Sequence, residues 1–421
     1  MRLSINSKDT QLRHRADAVI PGGLWGHMNT RYLAPAYPQF FARADGCRLW
    51  DVDGREYVDL MCSWGPIILG HRHPAVEDAA ARQHSLGDVM NGPAEVLVEL
   101  AELLVEMIPH ASWAMFQKSG TDATTASVTI ARAGTGRRKV LVARGSYHGA
   151  APWCTPSLNG VTAEDRAHIV PFDYNDPESL RRAAVAAGGD LAAVIVTAYR
   201  HDTARDQELA AAAFATCARE ICDRNDAALI IDDVRAGFRL DLGGSWEPLG
   251  VRPDLSAWSK ALANGYPIAA VTGNERFRAA AAKVFVTGSF WYGAVAMAAA
   301  VATLTELKRI GAVARMASLG LRLRHGLQKS ADRHGFRIRQ SGPPQMPMLL
   351  FEGDPDFEIG ERFCSATLAN GAYLHPRHNM FISAAHTERD IDAVIAAADA
   401  AFAEIAAAPP SALEHGSADR R

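Results

Sequence analysis

The chain has 421 residues, of which 48% are hydrophobic and 22% charged, with a formal net charge of −3. That is enough for two or three soluble domains around a large core, and it argues against nucleic acid or an anionic membrane as partner. The six cysteines (Cys47, Cys62, Cys154, Cys217, Cys222, Cys364) are scattered with no C-x-x-C pair, which argues against a zinc site or disulfide framework and for a reducing cytoplasm.

The first twenty residues, MRLSINSKDTQLRHRADAVI, lack an apolar stretch and do not read as a signal peptide. No segment has the length and apolarity of a membrane span. Residues 40–60, FFARADGCRLWDVDGREYVDL, alternate apolar and polar about Asp51-Val52-Asp53-Gly54, which predicts an antiparallel hairpin with a D-G turn. Helical spacing follows over about 75–83 and 95–107.

From about residue 112, short apolar runs alternate with helical stretches. The runs are MFQ (115–117), VLVA (140–143), AAVIVTA (192–198), ALIIDD (228–233), SAWS (256–259) and IAAVTG (268–273). This alternation predicts an α/β protein whose mostly parallel mixed sheet is covered by helices on both faces. An alanine-rich helix begins near 295, and a smaller α+β region runs to about 405. The expected division is an N-terminal segment, 1–70, joining the small domain; a large domain, 71–305; a C-terminal small domain, 306–408; and a mobile tail, 409–421.

Ligands of parallel sheets bind beyond the carboxyl ends of the strands, and polar residues collect there. Ser119-Gly120-Thr121 precedes a helical stretch, where free N–H groups and the helix dipole can hold a phosphate; a plain N-cap is the alternative. Tyr147-His148-Gly149 offers an aromatic to stack on a flat ring, or a core tyrosine beside a histidine. Asp232-Asp233 closes an apolar strand, which requires a partner for at least one carboxylate; capping or magnesium are rivals, although no third oxygen ligand is spaced for a metal. Lys260 stands between apolar runs, where burial lowers an amine's pKa and makes it a nucleophile; a snorkelling lysine is the alternative. Together they suit a planar ring with a phosphate, a ring nitrogen needing a carboxylate, and an aldehyde that condenses with lysine: pyridoxal 5′-phosphate (PLP). His71-Arg72-His73 lacks a third ligand, so no metal is expected.

The order SGTDA, GSYHG, LIIDDVRAGFR, WSKALANGYPIAAV and TGSFWYGAVAMAAA resembles the class III PLP-dependent aminotransferases of fold type I over roughly residues 15–405. RLWDVDGREYVDLMCSWGPIILGHRHP and AHTERDIDAV look most like the branch containing glutamate-1-semialdehyde 2,1-aminomutase. The resemblance implies that Lys260 forms the imine with the cofactor and shuttles the proton. It further implies that Asp232 pairs with the pyridinium nitrogen, Val234 and Tyr147 sandwich the ring beside His148, and Ser119, Gly120 and Thr121 hold the phosphate. Ser289 would reach that phosphate from the partner subunit of a homodimer, and Trp64 would line the substrate pocket.

The chain also departs from that family. Thr197-Ala198 stands where many members have Glu-Pro, and Ser383 where they have the arginine paired with that glutamate, so the common dual-carboxylate switch is expected to be absent. Lys118 replaces an asparagine, and Tyr292-Gly293-Ala294 a Gly-Asn-Pro. Arg31 and Arg377 are candidates for gripping a substrate carboxylate. The expected activity is transfer of an amino group from a small-molecule amine donor to a carbonyl acceptor, a sugar-like or other small-metabolite carbonyl, by way of pyridoxamine phosphate. A 2,1-aminomutase, a racemase or epimerase, and a silent PLP-binding protein are the alternatives. A nicotinamide dehydrogenase is disfavoured by the lack of a G-x-G-x-x-G after the first strand.

Overall fold

The computed structural model describes residues 7–33 and 36–407; the tail expected over 409–421 lies outside the described residues. Helix α1 (Lys8–Val19) leads into strands β1 (Phe41–Asp45), β2 (Arg48–Asp51) and β3 (Glu56–Asp59), then α2 (Pro74–Leu86) and α3 (Val96–Met107). The α/β region follows as β4 (Trp113–Gln117), α4 (Gly120–Thr135), β5 (Lys139–Ala143), β6 (Ile169–Phe172), α5 (Pro177–Ala187) and β7 (Leu191–Thr197). It continues through the short pair β8 (Tyr199–Arg200) and β9 (Glu208–Leu209), then α6 (Ala212–Arg224), β10 (Ala228–Asp232), β11 (Leu255–Trp258), β12 (Ala269–Gly273) and α7 (Glu275–Lys283). The chain closes with α8 (Ala294–Arg309), α9 (Ala312–Arg333), β13 (Ile338–Ser341), β14 (Met348–Phe351), α10 (Glu358–Ala369), β15 (Ala372–Tyr373) and α11 (Glu388–Ala407).

Seven strands form the central sheet in the order β4-β12-β11-β10-β7-β5-β6. The pairs from β11 across to β6 are parallel, whereas β12 runs antiparallel to both neighbours. Strand β7 is buried at every position because each face is covered. Val194 and Val196 pack with Leu180 of α5 and Phe214 of α6, while Ala193 and Ile195 pack with Ile130 of α4 and Phe277 of α7. The period of two in a strand divides one apolar run between two cores. Strand β6 contains Pro171 and has no run of the expected kind; at the sheet edge a proline leaves no ladder bond unmade.

The expected hairpin is present as β2 and β3, with Arg48 opposite Val58. Its sheet is completed by β15, parallel to β3 with Ala372 opposite Val58, so the two ends of the chain meet in one sheet, β1-β2-β3-β15. One core cluster joins Tyr57, Leu104, Trp258, Met297, Leu323 and Phe402, and thereby ties α3, α8, α9 and α11 to the lysine turn. Among the described residues no helix is long and apolar enough to cross a membrane.

Candidate active site

Lys260 follows the fully buried strand β11. The strand is pinned by Trp258, whose indole N–H donates to Thr272 Oγ1 of β12 at 2.8 Å. Lys260 takes φ +45° and Asn264 φ +47°, both left-handed, and the chain between them is one tight 3-10 turn with Ala261, Leu262 and Ala263 buried. Asn264 stitches this turn to a distant loop. Its Oδ1 accepts from the Ile68 and Leu69 N–H groups at 3.0 and 2.8 Å, and its Nδ2 donates to Gly70 O at 2.8 Å. That loop contains three successive left-handed non-glycine residues, Cys62, Ser63 and Trp64, at φ +47°, +55° and +64°. Such backbone is costly and collects at functional sites. The carbonyl it presents, Trp64 O, accepts from Lys260 Nζ at 3.0 Å. Gly65 makes room: a Cβ there would lie 3.0 Å from Phe381 and 3.3 Å from the lysine stem.

The lysine side chain keeps a partly exposed surface, but protein surrounds its amine on the remaining sides. This burial, with the Arg235 and Arg239 cations and against the opposing pull of Asp232, lowers its pKa to about 7. The amine is therefore about half in its neutral, nucleophilic form at neutral pH.

Asp232 ends β10. Its Oδ2 meets His148 Nδ1 at 2.7 Å and its Oδ1 accepts from Val234 N–H at 3.1 Å. His148 is buried, contacts Ser146 Oγ through Nε2 at 3.1 Å, and lies nearly parallel to Trp153, with ring centroids 6.3 Å apart. Asp233 faces the opposite way, as alternation along a strand demands. Its Oδ2 accepts from Ser245 N–H at 3.1 Å and its Oδ1 has no partner. Burial raises it to about 6 even though the Ser245 bonds lower it. One carboxylate thus serves the site and its neighbour serves the packing behind it. Among the described residues no group of three or more His, Cys, Asp or Glu could hold a metal.

At the start of α4, Ser119 forms a capping box with Asp122. Ser119 Oγ accepts from Asp122 N–H at 3.2 Å, and Asp122 Oδ2 accepts from Ser119 N–H at 2.9 Å. The cap occupies Ser119 and leaves the Gly120 and Thr121 N–H groups, at the positive end of the helix, without an intrahelical acceptor. A Cβ on Gly120 would fall 2.6 Å from Val234 Cγ1, and one on Gly149 would fall 2.5 Å from Thr121 Oγ1. The glycines therefore bring the helix start, Val234 and the Tyr147–Gly149 turn into mutual contact. The Tyr147 ring is 45% exposed, as an aromatic that stacks on a ligand must be.

Trp64 stands on the Lys260 side within edge-to-face reach of three imidazoles: His27 at 4.9 Å, His375 at 5.5 Å and His378 at 4.9 Å between centroids. Burial is the main cause that lowers all three, His375 to about 4. The same holds for His201, with Arg235 and Lys260 adding to the effect. A cavity of about 200 Å³ lies behind this wall, lined by Leu350, Phe351, Phe363, His375, His378 and Met380; it does not include Lys260.

Two candidates for carboxylate recognition are not drawn into this cluster. Arg31 is exposed with its guanidinium over the Tyr32 ring at 4.7 Å, and Arg377 forms a half-exposed ion pair with Glu361 at 2.9 Å. Ser289 is exposed on the segment between α7 and α8. Thr197 and Ser383, where an acid–arginine pair was expected to be absent, are both buried. Thr197 O accepts from Tyr174 Oη at 3.2 Å, and Ser383 Oγ is hydrogen-bonded to His386 Nδ1 at 2.9 Å. Sequence reasoning missed Arg235, three residues past Asp232 and 8% exposed. Its only signal was a cation in the turn after an acid-ended strand.

A nucleophilic amine, a braced carboxylate, free N–H groups at a helix start, and an exposed aromatic opposite a valine fit a flat pyridine ring bearing an aldehyde and a phosphate. PLP has that shape and those needs. Comparison with known proteins points the same way. The family model "Aminotransferase class-III" matches residues 32–388. The chain is 49% identical to the aminopentol aminotransferase of Sphingopyxis macrogoltabida over 399 residues, covering 95% of this chain and 94% of that protein. It is 32% identical to the 3-aminobutyryl-CoA aminotransferase of Cloacimonas acidaminovorans (strain Evry) over 405 residues, covering 95% and 97%. The solved structure of the PLP internal aldimine form of the FumI protein of Sphingopyxis sp. MTA144 superposes with a TM-score of 0.94 at 49% identity, covering 94% of this chain and 96% of that one.

Proposed function

Since this chain belongs to the class III aminotransferases and is a PLP enzyme of fold type I, we propose that it passes an amino group from one small molecule to the carbonyl of a second by way of the cofactor, with Lys260 as the residue that holds the cofactor and moves the proton. The observation that carries this reading is the half-neutral Lys260 amine, with a pKa of about 7, on the face where His148-braced Asp232 ends its strand.

When bound, the cofactor supplies an aldehyde to capture amines and a ring that withdraws electrons from the carbon being deprotonated. The Lys260 amine would hold it, and the same amine is placed to carry a proton to and from that carbon. Asp232 would keep a proton on the ring nitrogen by opposite charge, and His148 fixes the orientation of that carboxylate. Tyr147 and Val234 would enclose the ring, while the Gly120 and Thr121 N–H groups would receive the phosphate, with Ser119 capping the helix behind them. Trp64 limits the substrate side.

The relatives reported above are named aminotransferases, which supports transfer between two molecules over movement within one. The name aminopentol describes an amine bearing several hydroxyl groups, which supports a polyhydroxylated amine or its ketone as one substrate. We also propose a homodimer. Phe285 and Phe290 are 93% and 67% exposed, and the adjoining Leu86 is 78% exposed. These neighbours are linked through Asp88, whose carbonyl accepts from Ala294 N–H and whose Oδ1 accepts from Val295 N–H. Exposed apolar patches of this kind are covered by partners. In the dimer Ser289 reaches the partner's site. The division into 1–70 and 306–408 as a small domain around 71–305 is part of this reading and is supported by the β3–β15 pairing. Six free, buried cysteines support a cytoplasmic setting.

The test is to load the protein with PLP, fix it with borohydride and map the labelled peptide. The loaded enzyme is then offered a polyhydroxylated amine with and without a 2-oxo acid. We expect the label on Lys260 and an amino acid product only when both substrates are present. A label elsewhere refutes the site, and turnover of a single substrate to its isomer refutes the transfer reaction in favour of a mutase.

A further inference from the structure

We infer that Arg235 is the residue by which this enzyme recognises a carboxylate on one of its two substrates. The inference rests on the reading of Lys260 above.

Arg235 is a buried cation without an anion. Among the described residues no carboxylate lies within 4 Å of its guanidinium. The acids whose fields reach it are committed elsewhere: Asp232 to His148 at 2.7 Å, Asp202 to Arg200 at 3.1 Å. Its acceptors among the described residues are neutral and both lie on Nη1: Asn379 Oδ1 at 2.9 Å and His201 O at 3.5 Å. Nε and Nη2 meet no acceptor among the described residues, and neither is sealed from solvent. Two fork donors are thus held in place by Asn379, whose own Nδ2 is tied to Met380 O at 2.8 Å, and they face open space. That space is the site itself, because Arg235 acts on Lys260, Tyr147, His27, His201 and His378.

Arg239 gives the contrast: both of its terminal nitrogens donate, to Ile382 O, Gly65 O and Ile67 O at 2.7–2.9 Å, and the one nitrogen left without a partner, Nε, is sealed from solvent. The imidazoles around Arg235 are held neutral by burial, so they supply neither an anion nor a competing permanent cation. A guanidinium fork with two free N–H groups matches a carboxylate in bidentate geometry. Keeping such a cation buried and unpaired costs stability, so the fold gains from an anionic visitor. With Thr197 and Ser383 at the positions where many members have the acid–arginine pair, Arg235 accounts for how a chain without that pair holds a 2-oxo acid.

The experiment uses PLP-loaded enzyme and two non-reactive probes, propionate and its uncharged analogue propionamide, followed through the cofactor's absorbance. Wild type should bind propionate at least tenfold more tightly than propionamide; equal binding overturns the inference without any variant. In Arg235→Met, propionate binding should weaken at least about 30-fold with propionamide unchanged, and Arg235→Lys should restore part of it. The KM for a 2-oxo acid should rise by a similar factor while that for the matching aldehyde without the carboxylate stays within about threefold. The variant should melt no lower than wild type. A lower melting temperature with both acceptors equally impaired marks a structural arginine and overturns the inference. So does a shift in the pH midpoint of the cofactor absorbance with propionate binding intact, which assigns the fork to the cofactor's own ring oxygen. If wild type takes no cofactor onto Lys260, it is the proposed function that fails.

Discussion

The ionisation of Lys260 can be measured without turnover. Against an ordinary lysine at 10.5, a value of about 7 raises the neutral fraction at pH 7 from about one in 3,000 to about one half, roughly a thousandfold gain. Trace acetylation of the cofactor-free protein with acetic anhydride across pH 5–11 reads this directly. The Lys260 peptide is quantified by mass spectrometry against free Nα-acetyl-lysine, and its labelling should be half-maximal near pH 7 and level above about 8.5. Asp232 acts in the opposite sense to burial and the two arginines, so Asp232→Asn should move the midpoint lower still. The same gap bears on stability. Between pH 7 and 10.5 the unfolded lysine holds a proton that the folded one has lost, so this group makes the cofactor-free protein gain stability as pH rises through that window, by at most about 5 kcal/mol. Below pH 7 the full cost of a buried ammonium remains. Labelling of Lys260 that keeps climbing to pH 10, or a midpoint that rises in Asp232→Asn, would refute the account of why this lysine is reactive.

Three further outcomes follow from the geometry. His148→Ala should lower the single-turnover rate about 10- to 100-fold with cofactor still attached, because Asp232 loses its 2.7 Å partner; His148→Gln, which can still donate, should recover part of it, and an unchanged rate would show that the carboxylate needs no brace. Gly120→Ala should weaken PLP affinity and cost about 1–3 kcal/mol in a melt, since its Cβ would lie 2.6 Å from Val234 Cγ1; unaltered affinity measured by dialysis against limiting PLP would disprove the tight cradle. Phe290→Asp, on a ring 67% exposed, should shift sedimentation from dimer towards monomer, and a monomeric wild type would refute the interface.

Much of the arrangement could be read from residues alone, and the exceptions have physical causes. Strands β7 and β10 announced themselves because burial on both faces makes every position before the last one apolar. Lys260 and Asp232 stood out because polar residues at the ends of such strands are expensive without a purpose. The antiparallel course of β12 left no trace, since an apolar run reads alike in either direction. The bend at Cys62–Trp64 was hidden because its three left-handed residues include no glycine or asparagine. Arg31, Arg235 and Arg377 look equivalent in one dimension. Only packing reveals that Arg31 is exposed, that Arg377 is paired with Glu361, and that Arg235 is buried with its charge acting on Lys260.

The Asn264 stitch has a consequence for how the molecule is made. Its bonds to residues 68–70 span up to 196 positions, and β3 waits longer still for Ala372. During synthesis residues 68–70 and the free edge of β3 emerge early yet meet Asn264 and Ala372 only after most of the polypeptide has followed. Contacts so remote in sequence form slowly, so the reactive corner is among the last parts of the protein to set, and a chain released short of residue 372 leaves the ribosome with its lysine turn made and its anchoring sheet incomplete.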